Sequence, residues 1–299
     1  MKLVCFFRDG AQRVGVLVEG DVVVDLSFLL KDAVKELNMI SILSAGESLL
    51  ERIREFALSL SDKLQDGFLR DKRIAYSLAD VKLMAPIPRP GKIICLGLNY
   101  SDHAEEAGLK PPDEPVLFSK PATAVVGHDD PVIYPRVSSQ VDYEVELAVV
   151  IGKKGKDITE EDAYEYVAGY TVFNDVSARD IQFRGIQWFR GKSFDTFAPM
   201  GPCLTLKDEI PDPHNLKMQM RINGEVRQKG STKNMIFKIP YLLSFISAGM
   251  TLEPGDVIAT GTPSGVGIYS KPQKLLKPGD VMEATIEKIG TLRNKVVSP

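Results

Sequence analysis

VDYEVELAVVIG, residues 141–152, sets a core strand and a row of acids in one segment. It is rich in Val, Leu and Ile, as a core β-strand is, yet Asp142, Glu144 and Glu146 occupy every second position of its first half. Side chains i, i+2 and i+4 of a strand share a face, so the three acids line one side and Tyr143, Val145 and Leu147 the other. Successive carboxylates on that side are about 7 Å apart, at roughly 3.3 Å of rise per residue. Left uncompensated they repel, and some must bind protons at neutral pH. A divalent cation is an efficient remedy. An all-oxygen donor set suits Mg²⁺, Mn²⁺ or Ca²⁺, whereas zinc favours the His or Cys that this neighbourhood lacks. The same alternation also suits solvated acids on a half-exposed strand.

Four further stretches bear on that choice. GYTVFNDVSARDIQ (169–182) is a second strand running into a polar segment, with Asp175 where the apolar run ends, placed for a third ligand or for a turn cap. QWFRGKSFDTFAPMGP (187–202) carries Lys192 between Gly191 and Ser193, either a surface lysine or a site cation. In YSDHAEEAG (100–108), a short predicted helix, His103 and Glu106 are i, i+3 neighbours on one face. A carboxylate beside an imidazole favours its protonated form and fixes its tautomer, although a plain surface ion pair has the same spacing. ATGTPSGVG (259–267) is glycine-rich but lacks the Gly-Lys-Ser/Thr ending of a phosphate-binding loop. Its glycines let backbone approach a ligand closely. His128 and His214 stand in turn-like contexts and read as structural.

The remainder of the chain supplies the setting. With 44% hydrophobic and 26% charged residues, the 299-residue chain reads as a soluble globular protein. Its formal net charge is -3, with Lys and Arg scattered, so a nucleic-acid footprint is missing. Cys5, Cys95 and Cys203 are far apart, odd in number and without a CxxC, which argues against disulfides and a thiolate zinc site and for buried thiols in a reducing compartment. The first residues lack a signal-peptide pattern, and no apolar run approaches the roughly 20 residues that span a bilayer. A cytoplasmic protein without membrane partners is expected, and an organelle form trimmed of its presequence would read the same.

Residues 1–83 read as a small α+β unit. VGVLV (14–18) and VVVDL (22–26) form a hairpin across Glu19-Gly20-Asp21. Helical spacing follows over 31–40 and 47–60, the latter with Leu49, Leu50, Ile53, Phe56, Ala57 and Leu60 as one apolar stripe. MAPIPRPG (84–91) is an extended linker, because its prolines forbid a continuing helix. Residues 92–299 are mainly short strands bounded by Gly, Pro, Asn and Asp, with a type I′ turn at Asn223-Gly224. Helices are expected after Thr159, over EEDAYEYVAG, and over KIPYLLSFISAG (238–249). The fold class is α+β, mainly β: a β-rich roll or sandwich domain behind a small N-terminal one.

DYEVELAVVIG, NDVSARDIQ, GKSFDT and ATGTPSGVG, in that order and spacing, resemble the signature segments of the fumarylacetoacetate hydrolase family. The likeness covers roughly residues 84–297 and is strongest to the domain-containing members and bacterial relatives that act on oxaloacetate. It implies a mixed β-roll, a divalent metal and, as in most members, a homodimer. Position by position, it makes Glu144, Glu146 and Asp175 metal ligands and gives Asp142 no ligand role. Gln182 and Lys192 match residues that hold the oxygens of a bound oxo acid, Thr262 a contact to a substrate carboxylate, and His103 with Glu106 the acid-base pair on a lid helix. Where the founding hydrolase has a substrate-holding tyrosine, this chain has Ile186, which disfavours the large fumarylacetoacetate. The implied substrate is a small 2-oxo acid, oxaloacetate first, undergoing tautomerisation or decarboxylation through an enolate. C–C hydrolysis of an acylpyruvate is the alternative, and a non-catalytic metal-binding scaffold a further one.

Overall fold

The strand Val145–Ile151 is buried on both faces. Val145, Leu147, Val149 and Ile151 enter one apolar cluster, and Ala148 and Val150 another, so this strand belongs to the middle of three layers. The computed structural model describes residues 1–18, 21–30, 33–34, 36–64 and 74–299.

The middle layer is a 12-stranded sheet. From one edge its strands are Ala75–Ser77, Val22–Asp25, Ala11–Val18, Lys2–Arg8, Ala198–Leu206, Val167–Asn174, Val145–Ile151, Val257–Ala259, Ile93–Gly97 and Val116–Ser119. Lys82–Met84 and Val125–Val126 pair off this path. The first strand of the chain lies antiparallel to Ala198–Leu206, with Lys2 opposite Thr205, so the N-terminal strands extend the sheet that holds the acidic motif. On one face, helices Met39–Ser44 and Glu47–Leu64 contribute Ile42, Leu43, Leu49, Leu50, Ile53 and Leu60 to the core. On the other lies a five-stranded sheet, Glu225–Ser231, Lys217–Ile222, Val281–Ile286, Gly290–Val297 and Val132–Ile133, which contributes Met218, Met220, Met282, Ala284 and Leu292. Mostly strand, with a few helices, the architecture is the α+β, mainly β class.

Local chemistry accounts for the turns. Asn223 and Gly224 both have positive φ, 52° and 80°, as a type I′ turn requires. The three cysteines are free and buried. The predicted hairpin pairs Val18 with Val22, its Glu19 and Gly20 lying outside the described residues.

Two helices depart from expectation. Instead of one helix over 31–40 there are Ser27–Leu30 and Met39–Ser44, with no helix among the described residues between them; Lys31, Asp32 and Lys35 lie outside the description. Asn38 is the cause: its side chain accepts the Ser41 N–H at 2.8 Å while Ser41 Oγ accepts the Asn38 N–H at 3.1 Å, a capping box that starts a new helix. After Thr159 the chain makes only turns and the single 3₁₀ turn Ala163–Glu165. Thr159 Oγ1 does accept the Asp162 N–H at 3.3 Å, but Val167 is already paired with Ile151, and strand pairing takes over before a helix can propagate.

Ile53 is fully buried between helix and sheet. Ile53→Ala is expected to lower the unfolding free energy by about 2–5 kcal/mol, read from the midpoint of chemical denaturation.

Candidate metal centre and active site

The acidic stretch is not one continuous strand. Val141–Asp142 pairs with Ser177–Ala178, and Val145–Ile151 with Val167–Asn174, so the chain breaks at Tyr143-Glu144. There the Asp175 N–H donates to the Glu144 carbonyl at 2.9 Å, joining two strand ends. That contact brings Asp175 beside the glutamates: one carboxylate oxygen from each of Glu144, Glu146 and Asp175 lies within 4.8 Å of the others, and all three residues are buried. Asp142 turns elsewhere. Its carboxylate accepts the N–H groups of Gly267 and Ile268 and the Nε–H of Arg179, at 2.8, 3.0 and 3.0 Å.

These acids are neither solvated nor alone. Lys192 Nζ lies 2.8 Å from Glu144 Oε2 and 2.7 Å from Asp175 Oδ2. Arg179 Nη2 is 2.7 Å from Glu144 Oε1, and Lys120 Nζ 2.7 Å from Asp175 Oδ1. At 2% exposure Lys192 is no surface lysine. Burial works to raise the Glu144 carboxyl, but Lys192 and Arg179 outweigh it and hold it well below the usual range. Burial, then the charges of Asp175 and Glu144, push Glu146 well above it. Burial opposes the charge of Lys192, yet Asp175 and Glu144 raise it overall. For Lys120 burial dominates and lowers it, while Nζ donates to the carbonyls of Val176, Phe197 and Lys192.

Among the described residues no side-chain cation pairs with Glu146, which accepts the Gly261 N–H at 2.9 Å. Converging on it are two further carboxylates in an enclosed, all-oxygen donor set. A hard divalent ion fits that chemistry, because it offsets the repulsion that otherwise raises the Glu146 carboxyl. The triad is thus a buried centre that could hold a metal.

The helix Ser101–Glu106 stands across from it. His103 Nδ1 is 3.2 Å from Glu106 Oε2, and Glu106 Oε1 accepts the Gly265 N–H at 2.9 Å, so the pair is docked on the glycine-rich loop. His103, Glu144, Glu146, Gln182, Lys192 and Thr262 line one cavity of 80 Å³. Asp175 and Glu106 stand behind that wall, against Lys192 and His103. Gln182 Oε1 accepts from Arg179 Nη1 at 3.0 Å. Thr262 Oγ1 donates to the Val145 carbonyl at 2.9 Å and accepts from Gln228 Nε2 at 2.8 Å, so its hydroxyl ties the loop to the glutamate strand. His128 and His214 are elsewhere, each accepting a backbone N–H, from Arg293 and Ile239.

Ile186 is not where the motif spacing suggests. It is 95% exposed and off the cavity wall, where the nearby Trp188 is one of several aromatic side chains, with Phe118, Phe183 and Tyr269. The Trp188 ring packs so closely over Gly97 that a Cβ there would meet it at 2.3 Å. The segment before Lys192 therefore turns Trp188 inward and leaves Ile186 outside. Sequence reasoning also passed over Lys120, Arg179 and Tyr269. Arg179 lies inside NDVSARDIQ, where an arginine between acids was a usable signal; Lys120 and Tyr269 carry none, since only folding brings them to the site.

The family description "Fumarylacetoacetate (FAA) hydrolase C-terminal" matches residues 92–297. The chain belongs to the fumarylacetoacetate hydrolase family. It is 47% identical over 298 residues to oxaloacetate tautomerase YisK of Bacillus subtilis, covering 95% of each chain. To the human mitochondrial oxaloacetate tautomerase FAHD2A it is 53% identical over 221 residues, 73% of this chain and 70% of that one. The solved structure of a fumarylacetoacetate hydrolase from Exiguobacterium antarcticum superposes with a TM-score of 0.83 at 39% identity, covering all of both chains. The protein is an enzyme of this family, and no helix among the described residues is long and apolar enough to cross a membrane.

The raised Glu146 carboxyl has a consequence for stability. A group whose folded pKa lies above its unfolded value contributes stability below the unfolded pKa and loses it as pH rises through the folded one. In chelator, the melting temperature of the wild type relative to Glu146→Gln is therefore expected to fall as pH rises from about 4.5, the ordinary Glu value. Parallel melting curves for the two proteins from pH 5 to 8 would contradict it.

Proposed function

We propose that this protein is a divalent-metal-dependent enzyme acting on small 2-oxo acids, with keto–enol tautomerisation of oxaloacetate as its reaction. The observation that carries the reading is the single cavity of 80 Å³ on which the acidic triad's glutamates, Lys192 and His103 converge. Relatives named oxaloacetate tautomerases support the choice of oxaloacetate.

Glu144, Glu146 and Asp175 would hold Mg²⁺ or Mn²⁺, with Ca²⁺ also compatible with their oxygens. When bound, the ion supplies Lewis-acid charge that favours an enolate oxygen over a ketone. An ammonium has three donors; Lys192 spends two on Glu144 and Asp175 and has one left for a substrate oxygen. Gln182, steadied by Arg179, offers its amide N–H₂ to a second oxygen. Thr262 places the loop backbone against the substrate carboxylate. His103, oriented by Glu106, moves the proton at the carbon next to the keto group.

The same residues would serve loss of CO₂ from oxaloacetate. An acylpyruvate hydrolase is the second reading, favoured by the half-exposed apolar side chains of Leu109 and Phe183 on the cavity wall, which could seat an acyl tail.

Enol-oxaloacetate absorbance followed with Mg²⁺ is expected to decay rapidly, with Lys192→Met slower by on the order of 100-fold or more. Rapid cleavage of acetylpyruvate without enol consumption would select the hydrolase instead. Activity unchanged in Glu144→Ala, Glu146→Ala would leave a metal-free reaction, and turnover of neither substrate by the wild type would leave a scaffold.

A further inference from the structure

Asp142 is fully buried, and both its oxygens are engaged. Oδ1 accepts the N–H groups of Tyr143 and Gly267 at 3.0 and 2.8 Å; Oδ2 accepts the Ile268 N–H and Arg179 Nε–H, each at 3.0 Å. A carboxylate so occupied has little left to give a metal, yet it sits next but one to Glu144. What it holds is a charged fork. Arg179 points Nε at Asp142, Nη2 at Glu144 Oε1 and Nη1 at Gln182 Oε1, at 3.0, 2.7 and 3.0 Å. Because a guanidinium is planar and rigid, fixing Nε on Asp142 fixes where Nη2 meets Glu144. Arg179 thereby takes Oε1 and leaves Oε2, the oxygen now on Lys192. The second arm of Asp142 pins the turn Gly267–Tyr269, whose tyrosine ring lies 6.0 Å from that of His103. Gly267 is required for that contact, since a Cβ there would come within 2.6 Å of Asp142 Oδ1.

We infer that Asp142 is a positioning residue for the metal centre: by anchoring Arg179 it sets the orientation of Glu144, and by anchoring the Gly267–Tyr269 turn it sets the wall facing His103. This rests on the metal reading of the triad. With Asp142 neutral, the guanidinium loses its outer anchor and moves onto Glu144 alone, where it competes with the ion.

The test is Mn²⁺ binding to chelator-treated protein, read from the electron paramagnetic resonance signal of free Mn²⁺. Asp142→Asn, nearly isosteric, is expected to weaken Mn²⁺ about 10-fold, the range seen when a partner of a metal ligand is lost. Arg179→Lys, which cannot span both carboxylates, is expected to do the same. Because the two residues act through one contact, the double variant should be no weaker than the weaker single one; a general loss of packing would give additive losses. Wild-type Mn²⁺ affinity in Asp142→Asn, or strictly additive effects, overturns the inference. Should Asp142→Asn fail to fold, wild-type affinity in Arg179→Lys overturns it equally. If Glu144→Ala, Glu146→Ala leaves wild-type Mn²⁺ binding intact, the metal reading itself fails, and this inference with it.

Discussion

Four carboxylates, Asp142, Glu144, Glu146 and Asp175, are buried together, and everything near them answers the need to compensate that charge. An isolated ion in a protein interior is expensive, so such groups persist only with partners. Here Arg179, Lys192 and Lys120 are buried with them and divide the acids: Arg179 between Asp142 and Glu144, Lys192 between Glu144 and Asp175, Lys120 on Asp175. Glu146 is left out of this exchange. Its raised carboxyl marks the position where a further positive charge brings the largest gain.

The fold makes that arrangement possible by stopping two strands at the same place. Beyond Glu146, the same face of the strand carries Ala148 and Val150 into the apolar core beneath the N-terminal helices. Before it, the chain breaks, the Asp175 N–H closes on the Glu144 carbonyl, and polar side chains replace apolar ones. One strand is thus structural along most of its length and functional at one end. The glycine-rich loop completes the enclosure: Gly261 binds Glu146, Gly265 binds Glu106, and Gly267 binds Asp142 through their backbone N–H groups. Neutral donors there stabilise three carboxylates without adding competing cations.

Much of this was legible beforehand. The E-x-E spacing, the aspartate ending the next strand and the His-Glu pair on a short helix are local patterns, and the folded chain brings the residues they name together. The apolar stripe of Glu47–Leu64 and the Asn223-Gly224 turn were equally local. Where the reading failed, competition between local signals decided: Asn38 capped a new helix inside a longer helical pattern, and strand pairing at Val167 cut short the one after Thr159.

Which residue types share a face of a strand or helix could be read from the residues in order, because those periodicities are set by backbone geometry alone. The sequence therefore marked the acids of 141–152 as a problem and the ordered motifs as its family. How the problem is met depends on contacts between distant segments. Lys120 and Tyr269 reach the site from segments far along the chain, Trp188 rather than Ile186 joins its wall, and Asp142 leaves the other acids to hold Arg179 and the Gly267–Tyr269 turn. The reason is physical: compensation of a buried charge depends on distances of a few ångströms between chain segments that no local pattern relates.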